Sequence, residues 1–142
     1  MTVPQRLALL DTSFVLALEN RDDPFHERAK SLANDFHREN CVLLLHWGIL
    51  LEIGDGYARV ERREKGRGLL DKLRNEEGFR IVPMTETLLQ DAISLYGERD
   101  DKNWGLTDCV SFVLMRREGI VEALTADVHF RQAGFRALLL GD

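Results

Sequence analysis

The chain has 142 residues, 44% of them hydrophobic, with a net charge of −5 from 24 acids against 19 bases. That is the size and apolar content of one folded domain over residues 1–142, and it excludes a disordered chain. The acidic balance alone points away from a nucleic-acid partner, although two bound divalent cations would bring −5 to −1 and leave a local basic face to meet phosphate.

Short apolar runs alternate with longer amphipathic ones, the pattern of strands joined by helical crossovers. Leu7–Leu10 is predicted as a buried strand ending at Asp11, and Thr12–Glu19 as a short helix. Residues 20–23 form a polar turn. Pro24 suits the first turn of a helix to residue 39, with Phe25, Ala29, Leu32, Ala33 and Phe36 on one face. Residues 42–45 are a second strand, and 46–57 a helix with Ile49, Leu50, Ile53 and Tyr57 inward and Glu52 near its start.

Residues 59–68 are densely charged, and 69–75 read as helix. Residues 80–82 form a third strand stopped by Pro83, and Thr85 caps a helix through Tyr96. After a polar loop over 97–105, an apolar helix over 106–117 ends at Gly119. Glu122–Leu124 is a fourth strand leading into Asp127. Phe130 and Phe135 flank a short turn or helix, and 137–140 is a fifth strand. The expected fold is α/β: a three-layer α/β/α sandwich around a mostly parallel sheet of about five strands, with right-handed crossovers.

No apolar run reaches the 18 or so residues of a membrane span, and the run before Asp11 lacks a signal peptide's long core and cleavage pattern. A cytoplasmic address is therefore expected. Cys41 and Cys109 stand apart from other ligand pairs and read as buried thiols.

Four acids carry the chemistry. Asp11 ends the first strand, and Asp127 lies just beyond the fourth. Glu52 is in the helix after the second strand, and Asp108 starts the helix after the polar loop. In open parallel sheets ligands bind at the carboxyl ends of the strands, where strand order reverses, so all four converge if the sheet is built that way. Clustered carboxylates raise one another's pKa and stay ionised only beside a cation. An all-oxygen donor set selects a hard one, Mg2+ or Mn2+. Taken singly, each acid has a plainer reading: helix cap, first-turn acid or solvated side chain. A phosphorylated receiver domain or an Asp-x-Asp phosphatase is disfavoured, because Asp11 is followed by Thr12 and Ser13 and residues 138–141 hold no lysine.

The run Leu9-Leu10-Asp11-Thr12-Ser13 resembles the opening of PIN-domain proteins. The same holds for Ile49-Leu50-Leu51-Glu52-Ile53, Gly105-Leu106-Thr107-Asp108-Cys109 and Leu124-Thr125-Ala126-Asp127-Val128-His129-Phe130. Each motif is short, but the ordered set spans essentially the whole chain. The resemblance implies a metal-dependent RNA endonuclease in which Asp11, Asp108 and Asp127 surround the principal metal and Glu52 lies between metal positions. It implies that Ser13 and Thr107 support the acids, with helix capping an equal and compatible reading. It extends to the toxins of VapBC toxin–antitoxin pairs, which implies a small antitoxin partner over the acidic groove and a homodimer. A non-toxin RNA-processing nuclease and a catalytically silent PIN-fold binding module are the alternatives. His46-Trp47-Gly48 departs from the small or proline-containing entry usual in that helix, and Phe112 from the alanine-rich run after the third acid.

Residues 59–74 hold seven bases against three acids, a local +4. Arg59, Arg62, Arg63 and Arg67 are the candidate RNA-phosphate contacts, with a solvated helix pair stabilised by Glu/Arg neighbours an equal alternative. His129 reads as a polar wall residue. Trp47 is expected in the core, and Trp104 either stacks on a base or anchors its loop.

Overall fold

The structure, a computed structural model, describes residues 5–142. Its sheet has five parallel strands in the order β3-β2-β1-β4-β5: β1 (Leu7–Leu10), β2 (Val42–His46), β3 (Phe79–Val82), β4 (Glu122–Leu124) and β5 (Arg136–Ala137). β1 pairs with β2 through Leu9–Leu44 and with β4 through Leu9–Ala123. The chain builds outward from β1 to β3, then returns to lay β4 on the other side of β1. The reversal falls between β1 and β4, opening a crevice at their carboxyl ends.

The strands are short and apolar because helices cover both faces, as parallel sheets require. α1 (Thr12–Glu19) packs on α2 (His26–Arg38), α3 (Trp47–Gly56) on α4 (Arg63–Asn75), and α5 (Glu86–Glu98) on α6 (Leu106–Glu118). α6 is the most buried helix, with Cys109, Val110, Phe112, Leu114 and Met115 all inside, and left-handed Gly119 (φ 67°) ends it. Phe112 centres an aromatic cluster, its ring edge-to-face with Trp104 at 4.9 Å and with Phe130 at 5.0 Å. At the opposite end of the sheet, Arg6 bonds both oxygens of Glu122 and one of Glu39, and lies over the Phe36 ring.

Several boundaries differ from the sequence reading. α2 begins at His26 rather than at Pro24, because the Asp23 carboxylate accepts the Phe25 amide and holds Pro24 in a turn. α4 begins at Arg63, within the charged run, after one 3-10 turn at Val60–Arg62. Its exposed bases and acids are good helix formers, and charge without apolar period hid it. α5 extends to Glu98, shortening the loop that follows. Phe130 lies inside α7 (Val128–Gln132) rather than flanking it, fully buried. The fifth strand shrinks to Arg136–Ala137, because Leu138–Leu140 curls into a 3-10 turn before Gly141 at φ 90°.

α3 and α4 approach closely where Gly66 meets Tyr57: a Cβ on Gly66 would lie 2.5 Å from the Tyr57 Cβ, whereas one on Gly68 would meet nothing within 4 Å. The two glycines share one helix, so helix propensity favours alanine equally at both. Gly66→Ala is expected to destabilise by about 1–3 kcal/mol through overpacking. Gly68→Ala is expected to stabilise by up to about 1 kcal/mol. Urea unfolding of the two variants checks the opposite signs.

Candidate metal centre

The four acids project at the β1–β4 crevice. Asp11 follows β1, its amide bonded to the Leu124 carbonyl of β4 at 3.2 Å. It occupies the N-cap position of α1, yet its carboxylate caps nothing. Instead Oδ2 accepts the Ser13 hydroxyl at 2.9 Å and the Thr125 hydroxyl at 2.7 Å. Both bonds land on one oxygen, which leaves Oδ1 for another ligand. Ser13 Oγ also accepts the Ala126 amide at 3.1 Å, and Thr125 Oγ1 the Asp127 amide at 3.0 Å. Two hydroxyls thus stitch the ends of β1 and β4 together and fix the first acid against the last. Thr125 is fully buried. Its role escaped the sequence reading because a threonine after a strand has no signature of its own.

Glu52 sits on the exposed side of α3, with Leu51 beside it 68% exposed. Its surroundings are therefore wetter than its apolar neighbours in sequence suggested. Its Oε1 accepts the Thr12 hydroxyl at 2.7 Å, aiming it toward α1 and Asp11. Asp108 lies in the first turn of α6, where Oδ2 accepts the Gly105 amide at 3.1 Å. Thr107, the hydroxyl residue beside it, makes no hydrogen bond to a carboxylate among the described residues; its methyl faces Gly48. Asp127 caps α7 through the His129 amide at 2.8 Å.

His129 is more central than the sequence suggested. Its Nδ1 stands 3.1 Å from Asp108 Oδ2 and 3.3 Å from Asp127 Oδ1, so the imidazole bridges the two acids. Ligand atoms of Asp108, Asp127 and His129 all lie within 4.8 Å of one another, the tightest potential metal-binding group among the described residues. Asp11 and Glu52 stand outside that trio but within its field. The spacing Asp127-x-His129 was the available signal: a capping aspartate returns the amide of the residue two on, and with it that side chain, to its own carboxylate.

Burial pushes Asp11 from its ordinary 3.8 up to about 6; the Thr125 and Ser13 hydroxyls oppose the rise, while the Asp108 and Glu52 charges add to it. Asp108 is raised too, first by burial and then by Asp127, against the Gly105 amide and His129. Acids that resist ionisation next to one another are what a cation would relieve. The oxygen-rich donors of Asp11, Glu52, Asp108 and Asp127, with His129 at the margin, suit a hard divalent ion.

The PIN domain profile matches residues 8–136. The chain belongs to the PIN-domain family. Over 131 residues it is 28% identical to the 23S rRNA-specific endonuclease VapC20 of Mycobacterium tuberculosis, covering 91% of this chain and 95% of that one. The crystal structure of VapC20, described as a sarcin-ricin loop cleaving toxin, superposes with a TM-score of 0.77 at 26% identity, again over 91% and 95% of the two chains. FitAcB of Neisseria gonorrhoeae shares the fold, with a TM-score of 0.64 at 20% identity over 92% of this chain and 95% of that one. In the PIN fold seen here, the ordered acid motifs fall at one sheet edge, at the point where strand order reverses.

A group whose folded pKa exceeds its unfolded one binds more protons when folded. Asp11 therefore makes stability fall as pH rises from about 4 to about 6. A tenfold change in proton affinity is about 1.4 kcal/mol, so ionised Asp11 costs the metal-free fold on the order of 3 kcal/mol at neutral pH. Asp11→Asn is expected to raise the Tm in EDTA at pH 7.5, with the gain fading as pH falls from about 6 to about 4. Thermal unfolding across that range checks it, and a lower Tm for the variant at pH 7.5 would contradict the burial account.

Proposed function

We propose that this protein is a Mg2+- or Mn2+-dependent endoribonuclease, with Asp11, Glu52, Asp108 and Asp127 as its acidic centre, and the toxin of a VapBC-type pair. The observation that carries the reading is the meeting of these acids across the β1–β4 switch point, with Asp11 and Asp108 both pushed toward protonation. The likeness to an rRNA endonuclease over nine-tenths of both chains supports the choice of RNA. A bound divalent ion would supply an activated water and would offset charge on the phosphate.

The protein's own groups do the positioning. Ser13 and Thr125 fix Asp11 in one rotamer, Thr12 orients Glu52, and the Gly105 amide turns Asp108 inward. His129 Nδ1, between Asp108 and Asp127, can hold a proton at the edge of the site.

Substrate contacts are proposed along the basic run. Its side chains are exposed, and Lys65 to Glu19 at 3.7 Å is its one ion pair among the described residues. The intrahelical Glu/Arg pairing that would have explained the run as a solvated face is therefore absent among those residues. Arg62 lies over the Tyr57 ring at 4.5 Å and Arg63 bonds the Ala58 carbonyl, so these two also serve the fold. Arg59 and Arg67 are the freer phosphate contacts. Trp47 is 49% exposed, contrary to its expected place in the core, and offers a ring face to an unpaired base. Trp104 is 4% exposed and bonds Gln132 through Nε1 at 3.0 Å, so it anchors its loop and is closed to stacking.

A groove of about 530 Å3 between α3 and α4 is lined by apolar Leu50, Leu51 and Leu70 and by Arg63, Arg67 and Arg74 beside Asp55 and Asp71. An amphipathic helix carrying both charges suits it, which supports a small antitoxin partner. Ile93 and Tyr96, exposed together on α5, support a homodimer. A cytoplasmic address fits RNA and partner alike. No helix among the described residues is long and apolar enough to cross a membrane.

Asp108→Asn and Asp127→Asn are expected to lower Mn2+-dependent cleavage of ribosomal RNA by 100-fold or more while the proteins remain folded, as read by gel assay and circular dichroism. Full activity in Asp108→Asn would refute the site. Arg59→Glu with Arg67→Glu is expected to weaken RNA binding and flatten its dependence on log salt by about one unit per lost contact. An unchanged salt slope would remove these arginines from the interface.

A further inference from the structure

β2 ends on His46, a fully buried imidazole at the N-cap of α3. Two residues on from the Leu9–Leu44 pair, it stands level with Asp11 on the neighbouring strand. Its Nδ1 is 3.0 Å from the Gly48 amide, and its Nε2 is 2.9 Å from the Ser111 hydroxyl of α6. A backbone amide only donates, so Nδ1 carries the lone pair. The proton of the neutral ring is then on Nε2 and is donated to Ser111. One ring caps the helix that carries Glu52 and grips α6 one turn beyond Asp108.

The local sequence is fitted to this ring. A Cβ on Gly48 would lie 2.8 Å from His46 Cε1 and 3.0 Å from Nδ1, so a larger residue there would displace the imidazole. Ser111 is itself 1% exposed, and no buried side-chain polar atom among the described residues lacks a partner. Burial also pushes His46 down to about 4, with the Thr107 backbone a weaker opposing influence, so the ring stays neutral.

We propose that His46 is a positioning residue: its imidazole bridges the Gly48 amide of α3 to the Ser111 hydroxyl of α6 and thereby fixes Glu52 against Asp108 for cation binding. The catalytic consequence rests on the nuclease reading; the effect on cation affinity does not. A group hydrogen-bonded to a metal ligand typically changes metal affinity or activity by about 10- to 100-fold when removed, and His46, one bond further from the acids, is placed at the lower end of that range.

Ser111→Ala deletes the α6 end of the bridge with minimal change in volume. His46→Asn keeps an acceptor for the Gly48 amide but cannot span to α6. Mn2+ affinity of the metal-free proteins by calorimetry, and kcat and KM for RNA cleavage, are the readouts. Each variant is expected to weaken Mn2+ binding about tenfold and to lower kcat about tenfold or more, with KM within about twofold. The double variant is expected to be no worse than the poorer single one, since both cut the same bridge. Should His46→Asn fail to fold, Ser111→Ala decides alone. A folded Ser111→Ala protein with unchanged Mn2+ affinity and kcat would overturn the proposal, as would losses that multiply in the double variant. A wild-type protein that binds Mn2+ but cleaves no RNA would end the nuclease reading alone, leaving the Mn2+ affinities to judge His46. A wild-type protein that binds no Mn2+ would end both.

Discussion

Mutual repulsion among carboxylates, held where burial already penalises charge, is the constraint around which this fold is arranged. Asp11 is 8% exposed, and Asp108 and Glu52 add to its resistance to ionising. The fold keeps the acids together without neutralising them. It spends hydroxyls on Asp11, an amide on Asp108 and a threonine on Glu52, all donors without formal charge. No lysine or arginine forms an ion pair with any of the four among the described residues. Hydrogen bonds of this kind orient an acid while leaving its negative field for a cation to meet.

The reversal in strand order is what makes this cluster affordable. β1 and β4 are neighbours in space but far apart in sequence, and Ser13 and Thr125 reach across the seam to share Asp11. A helix begins just after each of these strands, so their orphan amides face the same crevice. Ala126 and Asp127 donate their amides to the two hydroxyls, and the hydroxyls donate hydrogen bonds to Asp11. Removing either hydroxyl would loosen the backbone of one strand end and the carboxylate of the other together.

What was legible in the sequence follows from how each feature is encoded. Buried parallel strands are short apolar runs, so β1 and β4 were placed to the residue, and β2 and β3 to within one. Asp11 and Asp127 stood out because they follow strand ends, whereas Glu52 and Asp108 lie on helices and stood out only through the order of their motifs. α4 started late in the sequence reading because its first turns are solvated, and an exposed helix shows charge rather than an apolar period. β5 was overdrawn because apolar residues 138–140 pack as well in a 3-10 turn as in a strand. Trp47 left its expected place in the core, while Trp104 took the second of its two expected roles, the loop anchor. Trp104 sits in a polar loop but points at Phe112, while Trp47 lies in an apolar run but occupies the outward first turn of α3. Loop polarity reports the backbone's surroundings, and a single large side chain can face the other way.

The two histidines near the acids divide the work that imidazole can do. His129 is partly exposed, hydrogen-bonded to Asp108 and 3.3 Å from Asp127, so it stands directly among the acids. His46 lies behind the site and touches no acid. Its ring is tied by an amide on one side and a hydroxyl on the other. A cationic residue at that position would stand level with Asp11 and compete with a metal for its charge. A purely apolar one would leave the Gly48 amide and the Ser111 hydroxyl without partners. A neutral imidazole satisfies both and adds no charge, which is why a bulky ring can stand where a smaller residue would otherwise turn the chain into α3. That fit explains why His46 and Gly48 belong together, and why the entry to this helix can depart from the family pattern without disturbing the acids it serves.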